Sequence, residues 1–295
     1  MIIVLMLLVA LMYSGYYFTK VSLTPTNTPY EETFRIEVQK GLIDEIKFNS
    51  MNKEEVYIKS DYGYNLSGYW FGNNNSIKTM IICHGYTYSL YGSVKYMDMF
   101  LKRGYNILIY NHRYHGKSGG DNCSLGYYEK MDLKSCVDWV KLRVGEDSIV
   151  GTHGESMGAA TALMHAAIDD RISFVIADCP FESVYEQFKH RLKIEYKLPA
   201  IPFLNFSNLF TKLKINTFYK DISPIRVIDK IKQPVLFIHG DQDQYIPPSH
   251  SKHLFALKEG HKTLYLSKGA DHAEAFEKDR VLYVKTVYDF LDSIG

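Results

Sequence analysis

The pentapeptide Gly154-Glu155-Ser156-Met157-Gly158 directly follows the strand-like run Ser148 to Gly151 and opens the alanine-rich helical run Ser156 to Ile168. A strand that feeds straight into a helix must turn sharply, and glycines flanking the turn remove Cβ atoms that would collide there. The turn pushes Ser156 out where a substrate can reach it and leaves backbone N–H groups of the helix amino terminus beneath it. The pattern G-x-S-x-G recurs by chance. The strand, turn and small-residue helix around this copy point to a nucleophilic serine.

The rest of the chain supplies a sheet for that turn. Strand-like runs recur at Val56 to Lys59, Leu66 to Phe71, Thr79 to Cys83, Asn106 to Tyr110, Ser148 to Gly151, Phe174 to Cys179, Pro234 to His239 and Thr263 to Leu266. From the third onward they alternate with helical patterns such as Met131 to Arg143 and Ser249 to Leu257, and several are continuously apolar, as strands covered on both faces are. This predicts an α/β fold: an eight-stranded, mostly parallel, doubly wound sheet. The interval 182–232 is too long for a simple crossover and carries scattered aromatics, so an inserted helical lid is expected there.

A nucleophilic serine needs a base, and the base needs a partner that holds its tautomer. His272 stands in Lys268-Gly-Ala-Asp-His272, past the last strand and before the final helix. Asp243 follows the apolar strand Pro234 to His239 in Gly240-Asp-Gln-Asp243, where the carboxyl end of a sheet would set it beside the nucleophile. Asp241 competes for that role, but beside Gly240 it is better placed to shape the turn, and Asp178 after the sixth strand is a third candidate. His239 is assigned to its strand, and His153 lies too close to Ser156 in the chain to fold back on it. For an oxyanion hole, the N–H of Met157 and the N–H of Tyr86, in the loop after the third strand, are the expected donors, with His84 a candidate to orient that loop.

Composition narrows the partners. The 295-residue chain carries 34 Lys plus Arg against 33 Asp plus Glu, a net charge of +1 that gives no reason to expect nucleic acid. Cys83, Cys123, Cys136 and Cys179 show no metal-binding spacing and read as small buried hydrophobes. The eleven histidines include no HExxH pair, so no metal and no cofactor are expected. Oligomeric state is not encoded in any feature of the chain.

Residues Met1 to Met12 are all apolar and no charge appears until Lys20. The segment Met1 to Phe18 would span about 27 Å as a helix, near the thickness of a bilayer core. A cleaved signal peptide fits less well, because a basic region after Met1 and an A-x-A-like site are missing. The chain therefore divides into a membrane anchor over 1–20, a Thr/Pro/Asn linker over 21–29 and a catalytic domain over 30–295, with a helix or helix pair broken at Gly41 at the domain's start. Lys20 and Arg35 on the domain side point to a cytoplasmic domain.

These motifs resemble bacterial α/β-hydrolases of the serine aminopeptidase S33-like or lysophospholipase-like group, from about Val56 to the carboxyl terminus. The likeness rests on His84-Gly85, Asn111-His-Arg-Tyr-His-Gly-Lys-Ser118, Gly126-Tyr-Tyr-Glu, the pentapeptide around Ser156, Gly240-Asp-Gln-Asp243 and His272. Asn111 and Tyr114 depart from the family's D-x-R-G-x-G-x-S turn, which often has Asp and Gly there. The resemblance implies hydrolysis of an acyl ester, thioester or amide through an acyl-enzyme. With the aromatic insertion and the apolar amino terminus, apolar or lipid-like esters are the expected substrates. A serine aminopeptidase-like peptidase and a non-catalytic membrane-tethered binding protein are the alternatives.

Overall fold

The computed structural model describes residues 1–73 and 75–295. The chain opens with helix α1 (Ile2–Leu23), α2 (Tyr30–Gln39) and α3 (Glu45–Ser50), then enters the sheet with β1 (Glu54–Lys59), β2 (Asn65–Phe71) and β3 (Lys78–Cys83). It continues through α4 (Val94–Leu101), β4 (Asn106–Tyr110), α5 (Glu129–Val144), β5 (Ile149–Glu155), α6 (Met157–Ala166) and β6 (Ile172–Asp178). Helices α7 (Val184–Arg191) and α8 (Phe203–Ile215) form the insertion, followed by β7 (Val235–Gly240), α9 (Ser249–Leu257), β8 (Lys262–Ser267), α10 (Ala275–Lys278) and α11 (Arg280–Ser293).

The eight strands form one sheet in the order β1-β2-β4-β3-β5-β6-β7-β8, antiparallel at β1/β2 and β2/β4 and parallel elsewhere. This is the expected mostly parallel sheet, and its central strands are buried along their length because helices cover both faces. One face packs Leu133, Val137 and Val140 of α5 and Ala159 and Leu163 of α6. The other packs Tyr96 and Phe100 of α4 and Tyr283, Val287 and Phe290 of α11. Gly41 takes φ +69° between α2 and α3, a left-handed conformation that ends the first helix where the pattern breaks. Strand β5 runs on to Glu155, further than expected, so Ser156 is the single residue between strand and helix.

A third apolar cluster belongs to the insertion and includes Leu23 of α1 with Leu192, Leu204 and Ile215. Helix α1 is long and apolar enough to cross a membrane, a property shared with signal sequences, and its first half is exposed. Its second half is packed: Gly15, Thr19 and Leu23, four residues apart, form one buried stripe. A Cβ on Gly15 would lie 2.6 Å from the Cβ of Phe206, so this glycine is what lets α1 approach α8. Thr19 Oγ1 donates to the Ser207 carbonyl at 2.8 Å.

The stretch expected as a linker is held in place. Residues 21–23 finish α1, the Leu23 carbonyl accepts from Cys123 N–H at 2.8 Å, and Thr28 N–H donates to the Thr87 carbonyl at 2.9 Å. The packed unit thus begins amino-terminal to Tyr30. Backbone hydrogen bonds to loops distant in the chain leave no periodic trace in a Thr/Pro/Asn run.

Candidate active site

Ser156 occupies φ +56°, ψ −116°, a conformation that side chains rarely adopt and that costs on the order of 1–3 kcal/mol. The flanking residues enforce it. A Cβ on Gly154 would fall 2.3 Å from the Gly158 backbone, and one on Gly158 would fall 2.2 Å from the Cys83 carbonyl oxygen. The Ser156 N–H donates to the Asp178 carbonyl at 2.8 Å, which ties the turn to the end of β6.

The loops after β7 and β8 bring Asp243 and His272 to this serine. His272 Nε2 lies 3.0 Å from Ser156 Oγ, and His272 Nδ1 lies 2.7 Å from Asp243 Oδ2. Asp243 Oδ1 accepts from the N–H groups of Tyr245 (2.9 Å) and Ile246 (2.7 Å). Burial alone would raise this carboxyl's pKa, but hydrogen bonds from His239 and His272 and from the Ile246 N–H hold it well below the usual carboxylate range. Asp241 is half-buried and accepts instead from the Gly269 N–H at 2.7 Å, so it clasps the two loops. Asp178 lies away from His272, with Oδ2 accepting from Tyr283 Oη at 3.0 Å. Desolvation, with the Glu155 charge, pushes its pKa up to about 6.

The loop after β3 passes close by: a Cβ built on Gly85 would lie 3.7 Å from the Ser156 Cβ. His84 Nδ1 donates to the Gly85 carbonyl at 2.7 Å while Nε2 accepts from His112 N–H at 2.9 Å, so the ring ties this loop to the next, as its position suggested. His115 Nε2 accepts from Thr87 N–H at 3.1 Å. Burial lowers the pKa of both rings and keeps them neutral, as acceptors must be. Met157 is the first residue of α6, so its N–H has no intrahelical acceptor. Tyr114 takes φ +64° where the resembled turn often has Gly.

Several contributors had weak sequence signals. His239, assigned only to its strand, has Nε2 3.2 Å from Asp243 Oδ2 and 2.8 Å from the Ile246 carbonyl, while Nδ1 bonds Ser251 Oγ at 2.7 Å. Its place in the strand just before Gly240-Asp-Gln-Asp243 was the available clue. Tyr245 lies against His272, with ring centroids 4.8 Å apart. Behind the turn, buried Lys95 Nζ lies 2.8 Å from Glu155 Oε2, which also accepts from Tyr96 Oη at 2.6 Å. Burial opposes both charges, yet the pair lowers the Glu155 pKa and raises that of Lys95.

Two cavities meet at Tyr86 and Tyr245, and one of them holds the serine. One, about 430 Å³, includes Ser156 and His272 and is edged by Glu37, Lys95, Glu155 and Glu274. The other, about 220 Å³, lies between α1 and the insertion and shares Tyr86 and Tyr245 with the first. Cys179, Asp243 and His272 cluster closely enough to hold a metal ion, but Asp243 and both His272 nitrogens are engaged in the hydrogen bonds above. Burial also pushes the Cys179 thiol up, which disfavours a thiolate ligand. All four cysteines are buried and free.

Residues 78–203 match the family model described as alpha/beta hydrolase fold. The chain is 43% identical over 267 residues to the uncharacterized protein YqkD of Bacillus subtilis, covering 90% of this chain and 88% of that one. It is 26% identical over 256 residues to the alpha/beta hydrolase domain-containing protein WAV2 of Arabidopsis thaliana, covering 81% and 78%. Among solved structures, the Pyrococcus furiosus esterase Pf2001 superposes with a TM-score of 0.69 at 28% identity over 84% of this chain and 93% of that chain. With the sheet order, the turn at Ser156 and these likenesses together, the chain belongs to the α/β-hydrolase fold family.

Proposed function

We propose that the protein is a serine esterase that cleaves apolar acyl esters through an acyl-enzyme. The observation that carries this reading is the continuous hydrogen-bonded line from Ser156 Oγ through His272 to Asp243. His272 Nε2 takes the Ser156 proton as Oγ attacks the acyl carbonyl carbon, and Asp243 holds the ring with Nδ1 protonated and balances the imidazolium charge. The N–H groups of Tyr86 and Met157 receive the developing oxyanion. His272 then protonates the leaving group, and water repeats the sequence to release the acid. In this reading Tyr86 and Met157 act through the backbone, and α1 anchors the domain to a membrane with the domain on the cytoplasmic side.

Ser156→Ala is expected to abolish hydrolysis of p-nitrophenyl acyl esters and labelling by a fluorophosphonate probe. Persistent labelling of the variant would sink the assignment, and an unlabelled wild-type protein would favour a binding role for the fold. A second reading has a specific observation behind it. The carboxylates Glu37, Glu155, Glu274 and Glu277 outnumber Lys40 and Lys95 around the larger cavity, a balance that suits an amine, as an aminopeptidase-like substrate would offer. Faster turnover of an aminoacyl amide than of any acyl ester would replace the first reading with this one.

A further inference from the structure

We infer that the second half of α1 is a wall of the substrate site, and that the smaller cavity, which it forms with the insertion, holds the acyl chain of a lipid-like ester. This rests on the esterase reading above and extends it. Phe18 and Val21 of α1 line the cavity with Leu192, Tyr196 and Leu204 of the insertion, and Tyr86 and Tyr245 line both it and the cavity that holds Ser156. These two side chains adjoin the reacting groups, since the Tyr245 ring packs on His272 and Tyr86 belongs to the loop beside Ser156.

The two cavities differ in how many charged groups they offer an ester. The larger one is edged by Lys95 and several carboxylates, groups that hold water and gain nothing from methylenes. The smaller one presents mostly aromatic and aliphatic side chains, against which each buried methylene is favourable, and its charged members Arg191 and Glu195 pair with each other. The acyl chain therefore goes towards α1 and the leaving group towards the charged side. A volume of about 220 Å³ fits a chain of medium length, taking the ~30 Å³ that one water occupies as the size of a small group.

The outer rim joins the exposed part of α1. The Phe18 and Tyr196 rings meet edge to face there, with centroids 5.1 Å apart, and Tyr196 is partly exposed. Beyond them Tyr17, Tyr13 and the run Ile2 to Val9 are exposed along the same helix. With that run immersed in a bilayer, an acyl chain reaches the cavity along an apolar surface. No soluble domain cut at Tyr30 keeps this wall.

The test uses the full chain in detergent micelles, with active sites counted by fluorophosphonate labelling, and reads the ratio of kcat/KM for p-nitrophenyl octanoate to that for p-nitrophenyl acetate. Each methylene seated in an apolar pocket adds about fourfold, so the wild type is expected to favour octanoate by at least about tenfold. Val21→Trp, which fills the cavity, is expected to lower the ratio about tenfold or more. Phe18→Ala, which widens it, is expected to move the preference to longer chains and decides the matter if the tryptophan variant does not fold. Ratios and chain-length optima that match the wild type in the labelled variants overturn the wall, as does a wild-type preference for acetate. Failure of the wild type to label would instead remove the esterase reading, an outcome visible before any chain length is compared.

Discussion

The Tyr86 hydroxyl donates to the Ser22 carbonyl oxygen at 2.8 Å, joining the loop beside Ser156 to the last turn of the amino-terminal helix. The Val21 carbonyl lies at 2.9 Å from the same hydroxyl, and Thr28 N–H bonds the neighbouring Thr87 carbonyl. The segment 21–28 thus braces the loop that would supply an oxyanion donor.

Removing that brace tests whether it positions the loop. A single hydrogen bond contributes about 0.5–1.5 kcal/mol net, so Tyr86→Phe is expected to lower kcat by about two- to tenfold. KM for p-nitrophenyl acetate, too short to reach α1, stays near the wild-type value. A purely structural role would instead lower the thermal midpoint and leave kcat per labelled active site unchanged.

Asp243 is held ionised well below the usual carboxylate range, so it remains charged throughout the pH range of ester hydrolysis. Asp243→Asn is expected to lower kcat by a factor on the order of 10⁴, because an amide no longer enforces the Nδ1-protonated tautomer of His272. A depressed folded-state pKa also contributes stability that is present above the unfolded value of about 3.9 and is lost as pH falls below it. Urea unfolding at pH 7 and pH 3 checks this: the gap between wild type and Asp243→Asn narrows at the lower pH.

Lys95, buried, and Glu155, largely buried, form an ion pair directly behind the turn at Ser156. Lys95→Met leaves the Glu155 carboxylate buried without its partner and is expected to cost about 3–5 kcal/mol. The double substitution Lys95→Met/Glu155→Leu recovers part of that loss, because Glu155 is then no longer stranded while Glu277, 3.8 Å from Lys95 Nζ, still loses a partner. Denaturant unfolding of the two variants distinguishes a paired charge from mere packing.

Asp178 behaves in the opposite sense to Asp243. Its pKa is pushed up to about 6 by desolvation and the Glu155 charge. The protonated folded form is therefore favoured below the unfolded value of about 3.9, and that stability is lost as pH rises to about 6. Asp178→Asn is expected to flatten the fall in stability between about pH 4 and pH 6, measured by chemical unfolding at intervals across that window.

What the amino-acid sequence determined by itself was local in origin. Gly154 and Gly158 dictate a turn that a side chain at either place would block, and the apolar runs and turn residues around them mark eight strands within a few residues of their observed ends. The order of Ser156, Asp243 and His272 along the chain was readable for the same reason: each directly follows a strand whose period is visible. Asp243 and Asp241 were separable only as preferences, since both follow β7. The structure joins the first to His272 and the second to Gly269.

Only the tertiary structure decided what surrounds that line. Thr19 meets Ser207 across 188 positions, Tyr86 meets Ser22 across 64, and Asp243 leans on a histidine that sequence pattern placed merely in a strand. Helical and strand periods report which face of an element is apolar. They do not report which distant element covers that face, because packing partners are chosen by shape and by satisfied hydrogen bonds over the whole fold. The apolar amino terminus was therefore legible as a helix fit for a membrane, while its second role against the insertion and the loop beside Ser156 existed only once the chain had folded.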